Sequence, residues 1–403
     1  MNSQKRVHIG GVFYGMHNIG DEAILYSMVR EFGKTYRISV SSYDSEWLLN
    51  YFPETELKSI HAVYAKPKLG LSVVPRRNII SNRKKVMADR EILCSADGYI
   101  CGGATILSDC PWHSLKTVEH AGRLGKRVIL WGVGMADGTD QDTDNYIRKI
   151  LNMPYVVKVY TRDKFVQDRL KKTGVLPDKL SICYDPAIML EGTEFILENY
   201  LTDKEIDILN NGLDNICISI SGEVDIASKT PVDEICEFVK LLLKNGRYNI
   251  FLIPTGCGGH CQDRRLLQEI KKQCSSDNVI MIEKEFEPDH LVWFLKKFRL
   301  SVSSRLHLNI FSACAGIPSI GLVRNSKITD FAKIFSLPAL QISGLRASDI
   351  MKAVNKLEKE NDFYKAEIRK QIDFMRKAHH IAISEVENQW LSLQGGNLGA
   401  FNK

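Results

Sequence analysis

A chain of 403 residues is long for one hydrophobic core and suits two domains. Hydrophobic residues at 44% and charged residues at 25% describe an ordinary globular protein, which excludes the disordered, collagen-like and coiled-coil classes. A net charge of +6 is too small to point to nucleic acid, though it suits a moderate attraction to anionic substrates or membrane surfaces.

In chain order, short apolar runs alternate with helix-like segments, the grammar of βαβ units and parallel sheets. The strand candidates of the first half are VHIGGVFY, YRISVSSY, DGYICGG, RVILWGVGM, VVKVYTR and SICYDPA. Those of the second half are NICISIS, NIFLIPTG, NVIMIE, RLSVSSR and PSIGLV. Ile24, Leu25, Met28, Val29 and Phe32 repeat at helical spacing, with Gly33 as the stop. The expected architecture is α/β: two doubly wound, Rossmann-like domains facing a cleft, followed by a C-terminal helical tail. The domains are expected at 1–200 and 201–345, with the polar segment EGTEFILENYLTDKEIDILNNGLDN between them and the tail over 346–403, packing back across both. A basic insert at 66–90, with Lys66, Arg76, Arg83 and Arg90 among its residues, reads as a solvated face or as a docking surface for an anionic, lipid-linked substrate.

The cysteines fall in apolar runs (Cys183, Cys217, Cys314), where they act as small hydrophobes rather than a disulfide framework. With no apolar signal region in MNSQKRVHIG, the expected compartment is the reducing cytoplasm. The one run of membrane-span length, Leu306 to Val323, contains His307, Gly316 and Pro318 and argues against a span.

Candidate chemistry concentrates at strand ends, where open parallel sheets bind ligands. In RLSVSSRLHLNIFSACAGIP, Ser303 or Ser304 is expected to cap a helix that stops at Gly316. Arg305 offers a planar fork for carboxylate or phosphate, and His307 a proton donor or acceptor near neutral pH. The competing structural reading is an interdomain salt bridge for Arg305 and a satisfied core histidine. In GVFYGMHNIGDEAILYS a Gly-rich turn (Gly15, Gly20) opens a helix near Asp21. Asp21 and Glu22 would repel a phosphate, so this turn reads as a site for neutral hydroxyl groups, with Asn18 donating and accepting and Asp21 or Glu22 as a base. A purely structural cap is the alternative. Further strand-end turns offer Gly102 and Gly103, then Asp109, then Gly132 and Gly134. Arg162 repeats the grammar of Arg305, and two such arginines suit a di- or trianionic ligand; pairing of Arg162 with Asp163 is the competing reading. Cys257, His260 and Cys261 lack nearby partners at ligand spacing, so no metal is expected, and their loop reads as a substrate contact with Asp263 at a helix start.

Together, GMHNIGDEAIL, CGGATILSD, WGVGM, YTRDKFVQDRL, YDPAIML and above all SSRLHLNIFSACAGIPSIGL resemble the polysaccharide pyruvyl transferase family, in family order over roughly residues 7 to 340. The resemblance implies a GT-B-like fold and transfer of pyruvate from phosphoenolpyruvate to two hydroxyls of a sugar, forming a cyclic ketal in capsule, exopolysaccharide or envelope-polymer biosynthesis. It implies donor contacts from Arg305, Leu306, His307 and Arg162, with Ser303 and Ser304 beside them. His307 is expected as the acid or phosphate partner, with Asp21 or Glu22 assisting the acceptor and Asn18, Gly15, Gly102 and Gly103 contacting it. The scheme needs no metal or organic cofactor. A polyprenyl-phosphate-linked acceptor at the cytoplasmic membrane face is the expected partner, and nucleic acid is not. Neither the basic insert nor the loop at 257 follows the family pattern. The runner-up is a sugar-nucleotide glycosyltransferase on the same scaffold, for which the second domain offers no clear acidic ribose clamp; a non-catalytic scaffold is third.

Overall fold

The computed structural model describes residues 4–11, 14–44, 46, 49, 52, 56–59, 90–108, 110–222, 231–258 and 263–390. The basic insert up to residue 89, Asp109, His260 and Cys261 lie outside them. The chain divides into two units, each built on one parallel sheet. The first comprises Met1–Met16, Ile24–Pro186 and Met375–Lys403; the second comprises His17–Ala23 and Ala187–Phe374.

The first sheet has the order β3-β2-β1-β4-β5-β6-β7. Its strands are β1 (Arg6–Gly10), β2 (Arg37–Ser42), β3 (Glu56–Ser59), β4 (Gly98–Gly102), β5 (Arg127–Val133), β6 (Val156–Thr161) and β7 (Leu180–Ile182). Nearly continuous apolar strands are what a sheet covered on both faces requires, and Val7, Ile9, Val40, Ile100, Ile129 and Leu130 are all buried. The helices Trp112–Arg123, Gln141–Leu151 and Lys164–Thr173 bury Leu115, Val118, Ile147, Ile150 and Leu170. Trp131 on β5 gathers an aromatic cluster: Phe32 at 5.2 Å, Tyr160 at 4.6 Å and His379 at 5.2 Å between ring centroids. Through His379 the last helix, Asn361–Gln389, joins this core in its second half.

The second sheet has the order β10-β9-β8-β11-β12-β13. Its strands are β8 (Asp214–Ser219), β9 (Tyr248–Leu252), β10 (Val279–Met281), β11 (Leu300–Ser303), β12 (Ser319–Val323) and β13 (Ala339–Gln341). Every strand pairing in both sheets is parallel. Both sheets are doubly wound, as expected. Their strand order reverses between β1 and β4 in one unit and between β8 and β11 in the other, the switch points outside which such sheets bind ligands.

The differences from expectation lie at edges and boundaries. β3 and β13 were not anticipated: each is a short edge strand, ELKS and ALQ, without an apolar run. The chain passes from one unit to the other at 186/187 rather than near 200. The polar segment after it is tied to the second unit, where Asn249 Nδ2 donates to Ile208 O (2.8 Å) and Asn215 Nδ2 to Leu209 O (3.0 Å). The tail is helical, as Ala347–Lys359 and Asn361–Gln389, and its residues from Met375 on group with the first unit.

Candidate active site

β11 ends at the second unit's switch point, and the next two residues turn into the helix Leu306–Cys314, which closes at Gly316 with φ +75°. The serines shape this turn and do not cap the helix, contrary to expectation. Ser303 Oγ accepts from Arg305 N (2.9 Å), and Ser304 Oγ accepts from Ser221 N (2.7 Å), so both hydroxyls are committed below the helix start. Arg305 is the N-cap residue, and Asn309 Nδ2 donates to its carbonyl (2.9 Å).

The guanidinium of Arg305 is buried and grips Asp263, Nε to Oδ2 at 3.0 Å and Nη2 to Oδ1 at 2.5 Å. The salt bridge is within one unit, not interdomain. Asp263 opens the helix Asp263–Gln273 as anticipated, but its side chain is 0% exposed, so it holds Arg305 rather than contacting substrate. Leu306 and His307 are half-buried in the first helical turn.

The Gly-rich turn after β1 joins the same unit from the other end of the sequence. Asn18 forms an antiparallel bridge with Gly256, Ile19 N donates to Thr255 O (3.1 Å) and Cys257 N to His17 O (2.9 Å). This seats the first turn of the helix Ile19–Phe32 against His307: a Cβ built on Gly20 would stand 2.8 Å from His307 Cβ and closer still to its ring. Asn18 caps that helix, its carbonyl accepting from Asp21 N (2.9 Å) and Glu22 N (3.1 Å), while its amide donates to Asp21 Oδ2 (2.6 Å). Both the cap and the functional reading of Asn18 are therefore compatible with its position. Asp21 is buried, and that burial pushes its carboxyl above the usual carboxylate range; His307, Lys327 and Arg305, in that order, and the Asn18 bond pull it back down. Glu22 is buried as well.

Lys327 was not anticipated. It lies in the first turn of the helix Ser326–Phe335, two residues after its N-cap Asn325 and just past the end of β12. The signal was present, since RNSK after PSIGLV repeats the strand-end pattern of SSRLH.

In the first unit, Arg162 follows β6 and is buried. Its Nε donates to Asp163 Oδ2 (3.2 Å) and its Nη1 to Thr105 Oγ1 (3.5 Å), so the pairing with Asp163 is present. A Cβ on Gly134 would lie 2.7 Å from its guanidinium carbon, which accounts for that glycine. Gly15, Gly102 and Gly103 have packing reasons of their own. Gly15 (φ +79°) abuts Asp44 N at 2.5 Å, Gly102 the Tyr14 hydroxyl at 3.0 Å, and Gly103 (φ +67°) Ile24 Cβ at 3.2 Å, all distances from a built Cβ. Among the described residues no group of three or more His, Cys, Asp or Glu could hold a metal, and no helix is long and apolar enough to cross a membrane.

The second unit thus assembles Asn18, Asp21, Arg305, His307 and Lys327 outside the carboxyl ends of its strands: cations for an anionic ligand and two groups able to move protons. No curated protein matches the chain significantly. Solved structures do, through fold. A UDP-GlcNAc 2-epimerase from Neisseria meningitidis bound to UDP-GlcNAc is 15% identical, with TM-score 0.61, over 95% of this chain and 100% of that one. The S. aureus MnaA–UDP co-structure is 12% identical, TM-score 0.64, over 95% and 96%. Anabaena Alr3699/HepE with UDP and glucose is 9% identical, TM-score 0.58, over 97% and 100%. These likenesses establish a GT-B-like fold. The family model for polysaccharide pyruvyl transferase matches residues 18–326, a span that begins at Asn18 and ends beside Lys327. The chain belongs to the polysaccharide pyruvyl transferase family.

Proposed function

We propose that the protein transfers pyruvate from phosphoenolpyruvate onto two hydroxyls of a sugar, forming a cyclic ketal and releasing phosphate in the biosynthesis of a capsular, extracellular or envelope polysaccharide. The observation that carries this reading is the convergence of Arg305, His307, Lys327 and buried Asp21 at one switch point. Phosphoenolpyruvate has a carboxylate and a phosphate. Because Asp263 already offsets the charge of Arg305, the added positive potential for such an anion comes from Lys327, with His307 beside it.

The chemistry balances without a redox partner. A proton adds to the methylene carbon, and the cationic C2 is attacked by one sugar hydroxyl. The C2–O bond to phosphate breaks, and the second hydroxyl closes the ketal. Of the two hydroxyl protons, one replaces that taken up by the methyl group and the other leaves on phosphate. His307 serves as the acid or phosphate partner. Asp21, held above the usual carboxylate range by burial, suits proton exchange with the acceptor hydroxyl. Glu22 is the alternative base. Arg162 enters as a donor ligand on the family resemblance and its strand-end position. A polyprenyl-phosphate-linked acceptor, met at the cytoplasmic face of the membrane, completes the proposal.

Calorimetric titration with phosphoenolpyruvate, against wild type and Arg305→Lys, tests the reading. Saturable binding weakened by at least tenfold in the variant supports it, because lysine keeps the charge and loses the fork. Indifference to phosphoenolpyruvate together with turnover of a sugar nucleotide would move the assignment to a glycosyltransferase.

A further inference from the structure

One carboxylate in the second unit receives more hydrogen bonds than a surface ion pair needs. Asp263 accepts from Arg305 Nε (3.0 Å) and Nη2 (2.5 Å), from Gly222 N (2.7 Å), from Gly256 N (2.9 Å) and from Thr255 N (3.4 Å). Those donors follow β11, β8 and β9 respectively, so one side chain ties together three neighbouring strand ends. The Thr255–Gly256 pair has a second set of contacts: it bridges Asn18 and accepts from Ile19. The carboxylate thus holds Arg305 directly, and holds through two backbone residues the turn that presents Asp21.

We propose that Asp263 is a positioning residue, which sets the donor-binding guanidinium and the Asn18–Asp21 turn in register with each other. The proposal rests on the phosphoenolpyruvate reading for what the register serves, and on the hydrogen bonds alone for the register itself. A buried ion pair is a poor device for stability, since apolar residues of similar volume often do as well. Its advantage here is directional. The bidentate contact fixes the guanidinium plane, and the same two oxygens fix the backbone that carries the opposite side of the site. A carboxylate one methylene longer cannot keep all of these contacts at once.

The experiment uses the full-length enzyme as wild type, Asp263→Asn and Asp263→Glu, with hydrogen exchange and phosphoenolpyruvate titration run in parallel. In wild type, the Arg305 Nε–H (assigned by its disappearance in Arg305→Lys) and the amides of Ile19 and Cys257 exchange slowly. In Asp263→Asn all three accelerate together by tenfold or more, while amides of the first unit are unmoved. Affinity for phosphoenolpyruvate falls ten- to a hundredfold in both variants, and the longer Glu does not restore it even where it restores thermal stability. The double variant Asp263→Asn, Arg305→Lys binds no more weakly than the worse of its parents.

Fast exchange of the Arg305 Nε–H in wild type overturns the proposal without any variant. So does a folded Asp263→Asn or Asp263→Glu protein with wild-type affinity and slow exchange over residues 17–23. If Asp263→Asn does not fold, Asp263→Glu decides, and if neither folds the wild-type exchange decides. Wild type that ignores phosphoenolpyruvate defeats the functional reading instead; the exchange data then judge the register by themselves.

Discussion

Replacing Gly20 with alanine probes the assembly of the site more directly than replacing any charged residue. Gly20 lies in the first turn of the helix Ile19–Phe32, its φ is outside the left-handed region, and alanine suits the backbone. The obstacle is His307. The new methyl would lie 2.8 Å from His307 Cβ and closer still to its ring, whereas carbon pairs rest at about 3.5–4.0 Å, so the imidazole must retreat by at least roughly 1 Å. A displacement of about 1 Å in a positioned catalytic group costs on the order of 100-fold in rate, or about 2.7 kcal/mol. Stability falls by up to about 3 kcal/mol. Overpacking costs roughly 1–3 kcal/mol and the helical preference for alanine returns up to about 1 kcal/mol. The expected melting temperature therefore falls by no more than about 8 °C. The assay is phosphate release from phosphoenolpyruvate over a panel of glycosides carrying hydroxyl pairs, with a melting curve for each protein. Gly20→Ala should lose about 100-fold in kcat/KM while folded, and Gly20→Ala with His307→Ala should be no slower than His307→Ala by itself. A Gly20→Ala enzyme within about threefold of wild type would refute the close packing of the turn on His307 and the role built on it.

Removing Arg305 outright should be a stability experiment as much as a binding one. Arg305→Ala leaves Asp263 charged and buried, at a cost of about 3–5 kcal/mol, read by calorimetry of wild type and variant. Asp21 gives a pH signature. Burial raises its folded pKa above 3.8, so its contribution to stability is present below that value and lost as pH rises through the folded pKa. Asp21→Asn should therefore gain on wild type as pH climbs above about 4, read from paired melting curves, and parallel curves would contradict the burial. His379 gives the opposite signature in the first unit. Its Nδ1–H donates to Cys183 O (2.8 Å), and burial depresses its pKa to about 4 from 6.5. Its contribution is full above 6.5 and lost as pH falls through 4, on the order of 3 kcal/mol, and His379→Phe should remove that dependence from acid-denaturation curves.

How much of this was legible in the sequence follows from which interactions are local. Eleven strands declare themselves as apolar runs, most of them covered on both faces; β3 and β13 do not, because ELKS and ALQ are short edge strands with too few apolar residues to stand out. The Ser-Ser-Arg-Leu-His turn was legible because strand, turn and helix are contiguous, and the fold rule says what such a turn faces. The serine roles were misjudged because a hydroxyl chooses among nearby backbone groups, and here the serines accept from Arg305 N and Ser221 N instead of the helix amides. The partner of Arg305 was out of reach: Asp263 precedes it by 42 residues at a helix start after a loop that reads as a substrate contact, and nothing local says that its carboxylate is wholly buried.

The passage of residues 17–23 into the second unit was the least legible feature and the most consequential. It rests on backbone contacts at Thr255, Gly256 and Cys257, which leave no side-chain pattern for a sequence to display. Without it, Asn18 and Asp21 belong with the first sheet by order along the chain, and the proton-moving groups are divided between two halves. With it, buried Asp21 stands in the same electrostatic neighbourhood as His307, Lys327 and Arg305. Those cations lower the pKa of Asp21 while burial raises it, so an anion that screens them would raise it further.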